Sequence, residues 1–165
     1  MSTELVLPEA GLYRTTFAHP KSPQAIRERM LVYFSPKSDQ GPPIVLPPEK
    51  LQAQQWSFAQ RGFLVDDEAW ARSLIPLRPQ GYYTLTEELL VGPGQRLPSE
   101  LLVLLTYTAQ GEGVLHAGVT TPESFIAFAR EGVVISDFQL DTLAQAAFRL
   151  AKGQVASAPK PAPQA

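Results

Sequence analysis

The longest nearly unbroken apolar run of the chain spans residues 101–107, and polar residues on either side limit it to the length of one strand. An apolar residue at almost every position is typical of a strand that is covered on both faces. Residues 110–113 then supply two glycines, which suit a short hairpin loop with positive φ, and a second apolar segment follows at residues 114–119. This pattern predicts an antiparallel pair of strands at the centre of a sheet.

Aromatic and β-branched residues predict two strands near the N-terminus, over residues 11–17 and 27–34. The charged first half of the second strand is expected to be exposed, and its apolar second half, from Leu31 to Phe34, to be buried. Further strands are predicted at residues 56–60, 63–65, 81–91 and 133–135.

Capping residues and acidic side chains predict a first helix after Asp66. Asp66 is typical of an N-cap, and Asp67 and Glu68 would lie in the first turn, where negative charge favours the helix dipole. The helix is expected to run through Leu74 and to end at Pro76, because proline interrupts helical hydrogen bonding.

Two more helices are predicted in the C-terminal part of the chain. Thr121 followed by proline is typical of an N-cap and a first helical position, so residues 122–131 are expected to be helical, with a glycine as the stop. Ser136, with glutamine three positions on, has the form of a capping box, and the helix that follows is expected to end at Gly153. Its apolar stripe comprises Leu140, Leu143, Ala144, Ala147, Phe148 and Ala151.

Sixteen prolines and eleven glycines divide the chain into short segments, which favours strands and turns. Residues 36–48 are dense in proline, so Ile44, Val45 and Leu46 are expected to form a short or edge strand. The predicted fold class is α+β: an antiparallel sheet or small SH3-like open barrel, placed over residues 11–120, with C-terminal helices and a disordered Pro/Ala-rich tail. The predicted organisation is an N-terminal arm (residues 1–10), a single globular domain (residues 11–153) and the tail (residues 154–165).

Composition narrows the classes of partner. With 44% apolar and 18% charged residues, the chain suits a globular domain with a substantial core. The formal net charge is -2, from 14 Lys+Arg and 16 Asp+Glu, whereas a nucleic-acid binder normally carries a basic excess. We therefore expect no nucleic-acid partner.

The absence of cysteine from the sequence excludes disulfides, thiolate catalysis and cysteine zinc sites. The first eight residues have no basic region of the kind that opens a secretory signal, and no apolar stretch approaches the roughly 20 residues that span a bilayer. A cytoplasmic protein without a transmembrane segment is the expectation.

Candidate catalytic groups are few and scattered. His19 and His116 lack the spacing that would place both on one helix as metal ligands; His19 is expected to be solvated in a polar loop, and His116 to be a satisfied residue of an apolar strand. Helix capping accounts for the carboxylates of residues 66–68, and Glu87 and Glu88, adjacent on a predicted strand, would point to opposite faces. We therefore predict no catalytic, metal-binding or cofactor-binding residue, and no cofactor.

Aromatic residues and prolines form the most promising candidate surface. Aromatic side chains next to rigid prolines make good docking surfaces at low entropic cost, although the same side chains also build cores. Tyr82 and Tyr83 are adjacent on a predicted strand, so one of them should point outward. The predicted partner-binding residues are Tyr33, Pro42, Pro43, Ile44, Leu46, Trp56, Tyr82 and Tyr83.

Five short strings carry a resemblance to a known family. They are residues 12–16, His19-Pro20, residues 31–34, residues 38–43 and residues 81–85. Through them the chain resembles, over roughly residues 11–120, a small uncharacterised protein family of cyanobacteria. The resemblance implies a cyanobacterial origin, and it carries no catalytic signature and implies no activity.

Three functions follow from these patterns. The favoured hypothesis is a non-enzymatic accessory or adaptor protein that binds another protein through the aromatic and proline-rich surface. The second is a small hydrolase-like enzyme that uses His19 or His116 with an acidic partner. The third is a structural subunit that forms a homodimer through its last helix.

Overall fold

The computed structural model describes residues 7–38, 41–91 and 93–145. Its contacts group the chain into two compact units. Unit 1 comprises Met1–Gln52, Trp56–Pro79 and Tyr107–Gly111, and unit 2 comprises Ala53–Gln55, Gln80–Thr106 and Glu112–Ala165. Both units are rich in antiparallel strands, so the predicted sheet-rich architecture is confirmed, whereas the single domain over residues 11–153 stays a prediction.

Short strands and one helix build the described part of unit 1. They are β1 (Gly11–Arg14), β2 (Leu31–Ser35), β3 (Ile44–Leu46), β4 (Pro48–Gln52), β5 (Gln55–Phe58), β6 (Phe63–Leu64), α1 (Glu68–Arg72) and β7 (Ile75–Pro76). Gln55, the first residue of β5, is assigned to unit 2. The main sheet has the order β6-β3-β2-β1-β7, with each strand antiparallel to its neighbours. Strands β4 and β5 pair with each other as a separate ribbon.

One apolar core cluster of unit 1 lies on one face of this sheet. Alternation along β2 and β3 directs Val32, Phe34 and Val45 to that face, where the ring of Tyr13 meets Phe34 edge-on at 5.9 Å. Burial of each large apolar side chain contributes about 1.5–3 kcal/mol. The core cluster comprises Tyr13, Ile26, Val32, Phe34, Val45, Val65, Trp70, Ala71 and Leu74.

The burial expected for β2 is confirmed, since its apolar residues are covered and the charged residues before it are exposed. Strand β3 is short, as expected, but it lies between β2 and β6 rather than at an edge.

Helix α1 begins one residue later and ends earlier than predicted. The N-cap is Asp67, whose carboxylate accepts a hydrogen bond from the N–H of Trp70 at 3.0 Å, so the assignment of Asp66 as N-cap is wrong. The helix ends at Arg72 because Ser73 turns back on it, with its N–H bonded to the carbonyl of Trp70 at 3.0 Å. The residues expected to complete the helix instead lead into β7.

The described part of unit 2 contains two sheets and a short helix. Its elements are β8 (Gly81–Leu85), β9 (Leu89–Leu90), β10 (Arg96–Leu97), β11 (Leu102–Tyr107), β12 (Gly113–Thr120), β13 (Ile126–Phe128), β14 (Val133–Ile135), α2 (Asp137–Leu140) and β15 (Leu143–Gln145). The main sheet has the order β13-β12-β11-β8-β15, and β14 also pairs with β12. Strands β9 and β10 form a separate antiparallel ribbon.

The predicted central strand is confirmed. Strand β11 lies between β12 and β8, and Val103 and Leu105 are fully buried. In the connection that follows, Gly111 has a φ of +76°, the left-handed conformation that the sequence predicted for this loop. Where one strand was expected over residues 81–91, a bend at residues 86–87 separates β8 from β9.

Both predicted C-terminal helices need correction. The segment predicted as a helix over residues 122–131 forms a turn and then β13; the N–H of Thr121 bonds to the carbonyl of Phe125 at 2.7 Å, which closes a hairpin with β12. The capping box at Ser136 is confirmed, but α2 ends at Leu140, because Leu143 pairs with β8 opposite Leu85. The remaining stripe positions, Ala147, Phe148 and Ala151, and the predicted tail lie outside the described residues.

Within the part of the chain that the structure describes, no helix has the length and apolar character needed to cross a bilayer.

Candidate partner-binding surfaces

His19 is a fully engaged structural residue of unit 1. Its side chain is 2% exposed, and the rings of Trp70 and Phe63 lie 5.1 and 6.2 Å from it. Nδ1 accepts hydrogen bonds from the backbone N–H groups of Lys21 and Ser22, each at 3.2 Å. The expectation of a solvated side chain is therefore wrong: the loop looked polar in sequence, but its histidine turns inward.

The imidazole ring of His19 also forms a hydrogen bond with a backbone carbonyl of strand β6. Since Nδ1 accepts, the proton of the neutral ring lies on Nε2, which donates to the carbonyl of Leu64 at 3.0 Å. The N–H of Val65 bonds to Pro43 of the neighbouring chain segment at 2.9 Å, so Leu64 is the residue whose carbonyl faces the open side. With both nitrogens occupied, His19 is not free to act as a base or as a metal ligand.

An exposed ion pair joins the loop that contains His19 to the segment that follows β6. Lys21 donates to the carboxylate of Asp66, and both side chains are largely exposed. This hydrogen bond lowers the pKa of the Asp66 carboxyl below its ordinary value. Because solvent and salt screen such a pair, its effect on stability is small.

His116 is a satisfied core residue of unit 2, as predicted. It is buried in β12, and its Nδ1 lies 2.7 Å from the carbonyl of Ala129, so that nitrogen carries the proton and donates. Gln54 also donates to this carbonyl, at 3.4 Å. Gly132 passes close to the ring, since a Cβ there would lie 2.9 Å from Cε1 of His116 and 2.2 Å from Cγ1 of Val114.

The carboxylates singled out in the sequence are divided between unit 1 and unit 2. Glu87 and Glu88 lie beyond the end of β8 rather than on a strand, which corrects their predicted placement, and Glu88 pairs with Arg96 at 3.4 Å. Among the described residues, no three His, Cys, Asp or Glu side chains are grouped so that they could hold a metal ion.

Three of the predicted partner-binding residues share one face of the sheet of unit 1. Tyr33 pairs with Leu46 across β2 and β3, and Ile44 pairs with Leu64 across β3 and β6. Alternation places these four side chains on the side opposite the core, and we call them the β3–β6 face. Exposure increases towards the edge: Tyr33, Ile44 and Leu46 are half-buried, and Leu64 is 46% exposed.

The remaining predicted residues of unit 1 lie before β3 and on β5. Pro42 is exposed, and Pro43 is half-buried and accepts the hydrogen bond from Val65. Trp56 is half-buried, with its indole Nε1 donating to the carbonyl of Tyr107 at 2.6 Å.

The two tyrosines of β8 behave as the alternation predicted. Tyr83 is 4% exposed and belongs to the core of unit 2, whereas Tyr82 is half-buried on the other face, with its ring 5.2 Å from that of Phe128. Burial raises the pKa of the Tyr82 phenol. Strands β3 and β8 belong to different sheets, so neighbouring strands do not join the tyrosines to Ile44.

The sequence pattern did not predict a group of exposed apolar residues in the hairpin of β12 and β13. Phe125 is 70% exposed, Ile126 is 48% exposed, and Val119 is also exposed, all in the hairpin of β12 and β13. The sequence pattern assigns Phe125 and Ile126 to a helix, and Val119 to the apolar strand segment of residues 114–119. The usable signal was the alternation of Ile126, Ala127 and Phe128, which is typical of a strand.

No protein-family model, no curated protein and no solved structure matches this chain.

Proposed function

We propose that the protein is a non-enzymatic accessory or adaptor protein that binds another protein through the β3–β6 face. The observation that carries this proposal is the pair formed by Ile44 and Leu64. They lie directly opposite each other on β3 and β6, point away from the core, and leave Leu64 46% exposed. Covering this apolar area with a partner protein would be favourable by about 25 cal/mol per Å².

The neighbouring residues suit a rigid protein surface. Tyr33 is held against the ring of Phe58 at a centroid distance of 5.9 Å, and Pro42 and Pro43 restrict the segment that enters β3. Side chains and backbone that are already fixed lose little entropy on binding. An aromatic residue beside such a surface is the type of side chain that dominates binding energy at protein interfaces.

The alternatives receive less support. An enzyme that uses His19 would have to break the bonds of both ring nitrogens, and His116 has its Nδ1 committed to Ala129. A homodimer through a long last helix loses its basis, because α2 ends at Leu140. Four further statements stay predictions from the sequence. They are the SH3-like barrel, the cytoplasmic location, the lack of a nucleic-acid partner and the cyanobacterial origin.

Co-purification from native lysate tests the proposal, with wild type, Leu64→Asp and Leu51→Asp as the three baits. Leu51 is the matched control, since it is exposed to a similar extent in unit 1 but lies on β4. We expect wild type and Leu51→Asp to retain a stoichiometric partner. Leu64→Asp should weaken binding by about 2 kcal/mol, or roughly thirtyfold in affinity, with melting unchanged.

Two outcomes would contradict the proposal. Equal retention of the partner by both variants would remove the β3–β6 face from the interface. Equal loss by both would indicate a nonspecific effect of added charge.

A further inference from the structure

We propose that the open edge of β13 in unit 2 binds, by strand addition, a segment of a partner protein that combines apolar side chains with lysine or arginine. This surface is separate from the β3–β6 face, so the inference goes beyond the proposed function. The β13 edge comprises Phe125, Ile126 and Phe128, with Glu123 before it and Glu131 after it.

The hydrogen bonding of the hairpin determines which backbone groups face outward. The carbonyl of Phe125 accepts from Thr121 at 2.7 Å, and the N–H of Ala129 donates to Ala117 at 2.9 Å. Backbone groups of successive residues in an antiparallel ladder point to alternate sides. The N–H and C=O groups of Ile126 and Phe128 therefore point away from β12, and β13 is the last strand in the order of the described sheet.

Apolar side chains accompany these outward backbone groups. Ile126 is 48% exposed, and Phe128 is half-buried against the ring of Tyr82 at 5.2 Å. Both flank Gly118, where a Cβ would lie 2.8 Å from the carbonyl oxygen of Leu102, 3.3 Å from Ile126 and 3.5 Å from Phe128. The absence of a side chain at Gly118 lets Ile126 and Phe128 pack closely over this position, and an added strand would contact these two side chains beside the edge.

Protein edges that stay unpaired usually carry a proline, a lysine or another block. Strand β13 consists of isoleucine, alanine and phenylalanine, and it contains none of these. A strand that adds here would gain main-chain hydrogen bonds and cover Ile126, as in other cases of strand addition.

Charge identifies the chemistry of the partner. The described residues of unit 2 carry eight carboxylates, all exposed, against two basic side chains. Glu123 and Glu131 lie at the two ends of the β13 edge, and one of the basic residues, Arg130, is next to Glu131. The acidic surplus would attract and orient a basic segment. The carboxylates are Glu87, Glu88, Glu100, Glu112, Glu123, Glu131, Asp137 and Asp141, and the basic residues are Arg96 and Arg130.

Fluorescence polarisation with the full chain tests this inference. The probe is a short labelled peptide in which valine and lysine alternate; the comparison peptides carry glutamate for lysine, or proline at alternate positions. We expect the lysine peptide to bind at least about tenfold more tightly than either comparison peptide, and more weakly as salt is added. Hydrogen exchange at the amides of Ile126 and Phe128 should slow on binding, because their N–H groups become bonded.

Matched variants separate the edge from general charge effects. Ile126→Lys should weaken binding about tenfold, whereas Leu90→Lys, with the same charge change at an exposed residue of β9, should lose much less. Leu64→Asp should leave this binding unchanged, so failure here and failure of the proposed function are distinguishable.

The acidic ends are tested by a double variant, Glu123→Gln with Glu131→Gln, against a control of equal charge, Glu87→Gln with Glu100→Gln. The first should weaken binding more than the second.

Three results would overturn the proposal. Equal binding of the lysine and glutamate peptides would exclude charge recognition. Equal effects of Ile126→Lys and Leu90→Lys would exclude the β13 edge. The third result concerns binding of the chain's own basic residues to the β13 edge. It is tested by replacing Arg149, Lys152 and Lys160 with glutamine in the full chain. If that change strengthened peptide binding about tenfold, the segment that binds the edge would be the chain's own residues 146–165 rather than a separate partner.

Discussion

The sheets of the two units end in different ways. In unit 1, the carbonyl of Leu64 on edge strand β6 is bonded by His19, and the opposite edge strand, β7, ends in Pro76, which has no N–H to offer. In unit 2, among the described residues, nothing pairs with the outward backbone groups of Ile126 and Phe128 on β13. In unit 1 these edge positions are therefore blocked, and Leu64 is the exposed member of the β3–β6 face, whereas unit 2 exposes an edge.

This difference shows how exposed apolar residues can be interpreted. Leu64 and Ile126 have nearly the same exposure, 46% and 48%. Next to a blocked edge, Leu64 can be covered by side chains of a partner; next to an open edge, Ile126 can also be covered by an added strand. The backbone around an apolar residue thus determines the kind of partner that suits it.

Removal of the His19 side chain, which bonds the carbonyl of Leu64 at the edge of unit 1, has the largest expected effect on stability. His19→Ala should lower the free energy of unfolding by about 3 kcal/mol, because the carbonyl of Leu64 and the N–H groups of Lys21 and Ser22 lose their bonding partner. Urea denaturation measures this loss, and light scattering should detect new association through the freed edge.

His116→Ala provides the matched comparison in unit 2. That histidine is also buried but makes its short bond to one carbonyl, that of Ala129. We expect a smaller loss of stability and no new association. Equal losses in the two variants would show that the bonds of His19 at the edge add nothing beyond packing.

A second change tests the segment that separates β13 from β14. Gly132→Ala should cost about 2 kcal/mol of stability, because a Cβ would lie 2.2 Å from Cγ1 of Val114 and 2.9 Å from Cε1 of His116. Thermal unfolding measures the effect, and hydrogen exchange along β13 reports whether the edge loosens. Glu131→Ala, at the exposed neighbouring position, should stay within about 0.5 kcal/mol of wild type. A neutral Gly132→Ala would mean that the segment shifts freely.

The smallest expected effect concerns the ion pair beside β6. The hydrogen bond from Lys21 lowers the pKa of Asp66, so its stabilising contribution is present above the unfolded pKa and is lost as pH falls through the folded pKa. Both groups are exposed, so the change in stability should be slight. NMR titration of the carboxyl should show its pKa rising towards the ordinary value in Lys21→Gln. An unchanged titration would exclude the pair in solution.

Local signals in the sequence predicted local features well. The apolar character of residues 101–105 identified β11 because a strand covered on both faces needs no polar positions. The capping box at Ser136 was found because both of its bonds join residues three positions apart.

The sequence did not predict features that depend on residues far apart along the chain. Leu143 lies on a helical stripe in sequence, yet it forms a strand because it pairs with Leu85. The burial of His19 depends on the carbonyl of Leu64, which lies 45 positions along the chain. The β13 edge was hidden for a related reason, since the threonine–proline cap signal at Thr121 is outweighed by pairing with β12.

The positions of the two tryptophans have a practical consequence for spectroscopy. The chain contains only Trp56 and Trp70, and both belong to unit 1, where their indole N–H groups donate to the carbonyls of Tyr107 and Phe17. Tryptophan emission therefore reports on unit 1, and unit 2 contributes no tryptophan emission. A melting curve followed by fluorescence alone would record half of the molecule, and its divergence from circular dichroism would reveal whether the two units unfold together.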